Sequence, residues 1–171
     1  MRVLLLGASG TIGLATARAL MHQGHDVVCF LRKPVRTKAN TTQASLSKAL
    51  QGTEIRYGDP CRLESLRQDA FCQQPFDAVV SCLASRTGTP QDAWAVDHQA
   101  HLYALEAAKE VGVHHFVLLS AICVQKPLLA FQKAKLAFEA ALIESGLRYA
   151  IVRPTAFFKS LAGQLERVKK G

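Results

Sequence analysis

The sequence predicts an α/β fold: a doubly wound parallel sheet of about six strands, with helices on both faces. Three observations carry this. Short apolar runs recur along the chain at Arg2–Leu6, Val27–Leu31, Glu54–Tyr57, Asp77–Leu83, His115–Leu119 and Leu147–Val152. Such near-continuous runs suit strands buried on both faces. Between several of them lie stretches whose apolar residues recur at helical spacing. A glycine-rich turn, Gly7–Gly13, sits between the first strand and the first helix. Strands alternating with helices imply a parallel sheet with right-handed crossovers.

The elements follow in order. The first helix runs from the glycine turn to about Gln23 and stops at Gly24. The polar stretch Thr37–Gly52 reads as a loop with one short helix near Leu46. The third strand ends at Gly58-Asp59-Pro60. After the fourth strand, Thr89 can cap a helix, Pro90 suits its first position and Asp92 favours the positive end of its dipole. Val96, Ala100, Tyr103, Ala107 and Val111 continue that helix at apolar spacing, and Gly112 ends it. The next helix is expected over Pro127–Ser145, with Leu129, Leu136, Ala140 and Ile143 on its buried face. Arg153-Pro154 ends the sixth strand, and a last helix begins near Thr155.

Composition bounds the function. The 171 residues suit one domain over 1–171, and 49% hydrophobic with 20% charged residues is ordinary for a soluble globular chain. No apolar run approaches the ~18 residues of a membrane span. Met1 and Arg2 lead straight into a strand, so neither a signal nor a transit peptide is expected. The net charge of +8 admits nucleic acid, a membrane surface or an anionic small molecule. Its clusters, Arg32-Lys33 with Arg36 and Lys38, and Arg167 with Lys169 and Lys170, are not interleaved with stacking aromatics, which argues against nucleic acid. The first cluster is read as serving an anionic cofactor and the second as a solvated helix end. Five cysteines with no CxxC pair argue against a disulfide framework and a zinc site, and suit a reducing compartment. His98 and His101 lie at i,i+3 with no evident acidic partner, so no metal site is expected; His114 and His115 read as structural, and Cys123 as a small buried apolar group.

The chemistry concentrates where strands end. Gly7-Ala8-Ser9-Gly10-Thr11-Ile12-Gly13 fits GxxGxxG between strand and helix. Glycines there permit a tight turn and close approach of a pyrophosphate, and the helix N-terminus supplies N–H groups and positive potential. Arg32 ends the second strand, about 20 residues past the loop, where an acid would select NAD by binding the ribose 2′-hydroxyl. An Arg instead suits a 2′-phosphate, so the cofactor expected is NADPH, with Lys33 and Arg36 able to assist. Asp59 can accept from an adenine amino group or simply close an Asp-Pro turn. The backbone of Cys82, Leu83 and Ala84 should pass along the cofactor, beside the point where strand order reverses. Pro154 is counted with the cofactor-binding candidates. Arg86, just beyond the fourth strand, can meet a phosphate, an acidic substrate or solvent.

Ser120 ends the fifth strand and Phe131-Gln132-Lys133-Ala134-Lys135 follows on the next helix. This resembles the short-chain dehydrogenase/reductases, in which a Ser and a Tyr-x-x-x-Lys form the catalytic set. There the Tyr transfers a proton, while the Lys holds the nicotinamide ribose. Here the Tyr position is Phe131, which has no proton to give, so alcohol–ketone chemistry is disfavoured. Ser120 and Lys135 remain as the catalytic candidates.

Three longer blocks sharpen the resemblance: Val79–Arg86 (VVSCLASR), His115–Leu129 (HFVLLSAICVQKPLL) and Ile151–Leu161 (IVRPTAFFKSL). Together they resemble the NADPH-dependent divinyl chlorophyllide a 8-vinyl reductases, an atypical branch of that superfamily, from about Val3 to Gly171. The resemblance implies a tetrapyrrole substrate whose C8 vinyl group is reduced to ethyl. Carbon rather than carbonyl oxygen then takes the hydride, which makes the missing Tyr intelligible. It also implies Gln125 and Lys126 beside Ser120 in the site wall, and a continuation beyond Gly171 that shapes the pigment pocket. Residues 1–171 alone are therefore expected to bind NADPH weakly and not to turn over. The location implied is the cytoplasm of a phototrophic bacterium, loosely on photosynthetic membranes, or a plastid stroma. Two other readings stand beside it: a non-catalytic NADPH-binding regulator, and an atypical reductase or isomerase of another small molecule.

Overall fold

A computed structural model describes residues 1–33 and 46–155. Arg36 and Lys38, most of the polar stretch, the helix expected from Thr155 and the basic cluster at Arg167 lie outside the described residues. Six parallel strands form one sheet: β1 (Arg2–Leu6), β2 (Asp26–Arg32), β3 (Glu54–Gly58), β4 (Ala78–Ser81), β5 (His115–Leu119) and β6 (Arg148–Val152). Their order is β3-β2-β1-β4-β5-β6, the doubly wound arrangement. Leu4 pairs with Val28 on one side and Val79 on the other, so β1 lies at the centre, between the two halves.

The apolar runs are explained by burial on both faces. Leu4, Leu6, Val28, Phe30, Val79, Phe116 and Leu118 join one core layer, and Leu5, Val27, Cys29 and Leu31 the other. Helix α1 (Thr11–His22) covers the second layer with Ala17. The first layer is covered by α4 (Ala100–Glu110) and α5 (Ala130–Glu144), through Ala104, Ala108, Phe138 and Leu142. Strand β6 is one of the two edge strands and is exposed or half-exposed along its length.

Between β3 and β4 lies a helix that the pattern did not announce: α2 (Leu63–Ser65), continuing as a π-type segment, Leu66–Phe71. It stops in left-handed backbone at Cys72 (φ 51°) and Gln73 (φ 55°), where no glycine marks the end. After β4, Thr89 caps α3 (Pro90–Ala93) by accepting the Asp92 N–H at 3.3 Å, as expected. A second π-type segment, Trp94–Gln99, then separates α3 from α4. Its wider turn shifts the helical register. The buried residues are consequently Asp97, Ala100, His101, Ala104, Leu105, Ala107 and Ala108, while Val96 and Tyr103 are only half-buried.

Helix α5 departs further from expectation. It begins at Ala130 rather than Pro127, because the Gln132 side-chain oxygen accepts the N–H groups of Leu128 and Leu129 and caps the helix there. Its buried face is Ala134, Lys135, Phe138, Glu139 and Leu142; Leu129, Ala140 and Ile143 are exposed and Leu136 is half-buried. The apolar-face assignment fails because two buried positions carry charges with distant partners. Arg153, at the end of β6, grips the Glu139 carboxylate with two of its nitrogens.

Candidate nucleotide and catalytic crevice

The glycine turn is closed by a hydrogen bond from Gly10 N–H to Gly7 O, 3.0 Å. Gly7 adopts φ +80°, and a Cβ there would stand 2.6 Å from the Cys82 carbonyl carbon and oxygen. A Cβ on Gly13 would stand 2.2 Å from Gly7 O. Both glycines are therefore required by backbone approach, one between β1 and β4 and one between α1 and the turn. Gly10 caps α1 without a side chain, and the first turn holds no acid. The positive end of the helix dipole is thus offset by no carboxylate of its own first turn.

Gly7, Ser9, Gly10, Arg32, Cys82, Leu83 and Ala84 line one narrow cleft. Thr11 and Ile12 stand in the first turn of α1, and Gly13 is buried against the turn. Burial raises the Cys82 thiol above its ordinary value, so it is a neutral wall group. Arg32 continues into a wider groove with Lys33, Asp59, Cys61 and Arg62. Asp59 Oδ1 accepts the Cys61 N–H at 2.9 Å, which is the turn-closing alternative realised in one of its two oxygens.

Leu83, Ala84, Ser85 and Arg86 also line a second cleft of about 570 Å³, with Asp97, Ser120, Ile122, Phe131, Gln132, Lys135 and Pro154. The two form one crevice at the carboxyl ends of β1, β4 and β5, where the strand order reverses. Open α/β sheets bind ligands at that point. Asp92 Oδ2 holds its rim by accepting the N–H groups of Thr87 and Arg86, each at 2.8 Å, and the Thr87 hydroxyl at 2.9 Å. The Thr87 amide leads these bonds in holding the Asp92 carboxyl below the usual range. Pro154 O accepts the Ile122 N–H at 3.0 Å and fixes the far wall.

Lys135 is the charged centre of the second cleft. Its Nζ lies 3.1 Å from Asp97 Oδ1 and donates to Leu119 O at 3.3 Å and Leu83 O at 3.4 Å. Ser120 is 5% exposed, and its Oγ meets no partner among the described residues. Phe131 shares the cleft wall with Lys135, one helical turn away. Gln125 and Lys126, expected in the wall, are exposed and do not line it; Ile122 and Gln132 stand there instead. Cys123, expected buried, is exposed in left-handed backbone (φ 64°), because the loop turns outward after Ser120.

Sequence reasoning missed Asp97, and it set His101 aside. His101 is fully buried, with Nδ1 2.9 Å from Val96 O and Nε2 2.8 Å from Ser81 Oγ. A carbonyl can only accept, so Nδ1 carries the proton and Nε2 accepts from the serine. The signal available was an acid four residues before a histidine, a spacing that puts both on one helical face. Burial, then the Lys135 charge, pushes the His101 pKa down from 6.5 to about 3. The unfolded chain therefore binds this proton at a pH where the folded chain does not. The folding constant should drop by up to about tenfold per pH unit as pH falls from 6.5 toward 3. Melting midpoints of wild type and His101→Asn between about pH 7 and pH 4 check this. The Asn amide can still donate to Val96 O, and the variant should lose less stability; parallel curves would remove His101 as the cause.

The glycine cradle and the Ser120 hydroxyl, unpartnered among the described residues, fit an elongated, anionic, hydroxyl-bearing ligand. Among the described residues no three His, Cys, Asp or Glu side chains gather to hold a metal, and no helix is long and apolar enough to cross a membrane.

Comparison with known proteins agrees with this geometry. A family model described as NAD(P)H-binding matches residues 7–171. A cucumber (Cucumis sativus) protein named divinyl chlorophyllide a 8-vinyl-reductase, chloroplastic, is 46% identical over 99% of this chain and 42% of its own length. The photosystem II assembly factor Ycf39 of Synechocystis is 28% identical over 96% of this chain and 47% of its own length. The chain thus spans less than half the length of these curated relatives. The structure of a UDP-glucuronic acid 4-epimerase from Bacillus cereus in complex with NAD superposes with a TM-score of 0.71 over 91% of this chain and 56% of that one, at 20% identity.

Proposed function

The chain belongs to the NAD(P)H-binding family, and on that premise we propose that it is the cofactor-holding part of an NADPH-dependent reductase that converts the C8 vinyl group of a divinyl chlorophyllide-type tetrapyrrole to ethyl. The observation that carries this reading is the second cleft: Lys135 and Ser120 line it, and the group one turn from Lys135 is Phe131, with no proton to give to a carbonyl oxygen. Likeness to the plant vinyl reductases supports a carbon acceptor in its place.

In this reading the backbone of Gly7, Ser9 and Gly10 takes the pyrophosphate. Arg32, with Lys33, reads a 2′-phosphate, and the Cys82–Ala84 backbone lies along the middle of the cofactor. Lys135 and Ser120 meet the nicotinamide ribose, and Phe131 and Ile122 keep water from the reacting carbon. A reduced nicotinamide, when bound, supplies hydride there. Exposed Leu128 and Leu129 beside the cleft favour a peripheral hold on photosynthetic membranes. The chloroplast label on the plant relatives favours a plastid stroma, with a phototrophic bacterial cytoplasm the counterpart.

The full-length gene product, given divinyl chlorophyllide a, should form the monovinyl pigment with NADPH and not with NADH. No product while NADPH is bound would overturn the reading and favour a non-catalytic NADPH-binding protein, to which the likeness to an assembly factor points. Arg32→Ala should weaken NADPH binding by about 10- to 100-fold, the loss of one or two charge-assisted bonds, and leave NADH binding unchanged. Equal loss for both cofactors would remove Arg32 as the phosphate reader.

A further inference from the structure

We infer that Asp97 is a positioning residue that holds Lys135 and the Ser85 backbone in place for the cofactor; this rests on the reading of Lys135 as the group that meets the nicotinamide ribose. The side chains of Asp97 and Lys135 are 1% and 6% exposed. Two buried charges lose hydration that their attraction only partly restores, so such a pair is weak evidence for stability. Its placement is the informative part. Asp97 Oδ1 faces Lys135 on α5, and Oδ2 accepts the Ser85 N–H at 3.3 Å just beyond β4. One carboxylate thus ties together the two walls of the cleft.

The fold spends an unusual helix to put it there. The π-type turn Trp94–Gln99 turns Asp97 inward, and the His101 ring secures that turn by donating to Val96 O, with Ser81 behind it. Lys135 has three N–H donors. Its contacts to Leu119 O and Leu83 O are long, at 3.3 and 3.4 Å, and are the ones a ligand's hydroxyls can replace while the ion pair stays. Ser120 Oγ, buried in the same wall and unpartnered among the described residues, marks where such a hydroxyl is received.

The test is a double-mutant cycle on the full-length gene product, with NADPH affinity read by calorimetric titration and folding by thermal melts. Asp97→Asn should weaken NADPH binding about tenfold. In a Lys135→Met background the same substitution should change affinity less than about twofold, because the route through Lys135 is gone and the Asn amide oxygen can still accept the Ser85 N–H. A merely structural role predicts equal losses in both backgrounds, and that result overturns the inference. Asp97→Asn leaves an uncompensated buried ammonium and can fail to fold. In that case the double variant, which buries no lone charge, and Lys135→Met, whose Asp97 carboxylate keeps the Ser85 N–H, still decide: a further tenfold loss in the double variant overturns the inference, and matched affinities support it. Wild-type affinity in Lys135→Met sinks the underlying reading of Lys135. Wild-type affinity in Asp97→Asn, with Lys135→Met weakened, sinks the inference alone.

Discussion

Gly13→Ala is expected to abolish NADPH binding and to cost about 3 kcal/mol of stability or more, at the upper end of overpacking effects. Its new Cβ would meet Gly7 O at 2.2 Å, Gly7 C at 2.8 Å and Ala8 Cα at 2.9 Å. All three are backbone atoms, so no rotamer change relieves the overlap. The first turn of α1 must withdraw from the end of β1, which breaks the Gly10 to Gly7 hydrogen bond and opens the cradle. Gly24→Ala is the control. It lies past the other end of α1 at φ +77° with nothing within 4 Å of a new Cβ, so it should cost about 1–2 kcal/mol of left-handed strain and leave binding intact. Thermal melts and NADPH titrations of both proteins check the pair. Wild-type binding by Gly13→Ala would show that the cradle does not hold the cofactor.

Phe138→Ala should destabilise the fold by about 3–5 kcal/mol, the range for emptying a buried aromatic site. Phe138 is fully buried, with its ring 5.7 Å from Phe116 and 4.8 Å from His101. It therefore couples β5, α4 and α5 beneath the crevice, three residues along α5 from Lys135. A loss of that size is a large share of the ~5–15 kcal/mol that holds a domain folded. Ile143→Ala, on the exposed face of the same helix, should change stability by no more than about 0.5 kcal/mol. Urea titrations of the two variants test which face of α5 is buried. The apolar face read from sequence, Leu129 to Ile143, requires the opposite ranking.

The strands were legible because the cost of burial is local. A strand covered on both faces needs an unbroken apolar run, and the runs at Arg2–Leu6 and His115–Leu119 match β1 and β5 residue for residue. The cradle was legible for a related reason: a turn this tight, crossed by neighbouring backbone, excludes a Cβ, and only glycine satisfies that. Parallel topology then collects the carboxyl ends of the strands at one edge. For this reason Arg32, Cys82, Leu83, Ala84, Ser120 and Pro154 fall along one crevice although they are scattered through the chain.

Helix faces were less legible wherever a buried position is charged. Apolar periodicity cannot turn Lys135 and Glu139 inward, because what offsets their burial is Asp97 and Arg153, brought close only by the finished fold. The π-type segment at Trp94–Gln99 moves a helical register by an amount no spacing rule anticipates, and Asp97 enters the crevice through that shift. The apolar order of the chain and its glycines determined the sheet, its connections and the glycine end of the crevice. Tertiary structure decided which charges lie inside, because the energy of a buried charge depends on its partner and on no property of its own segment.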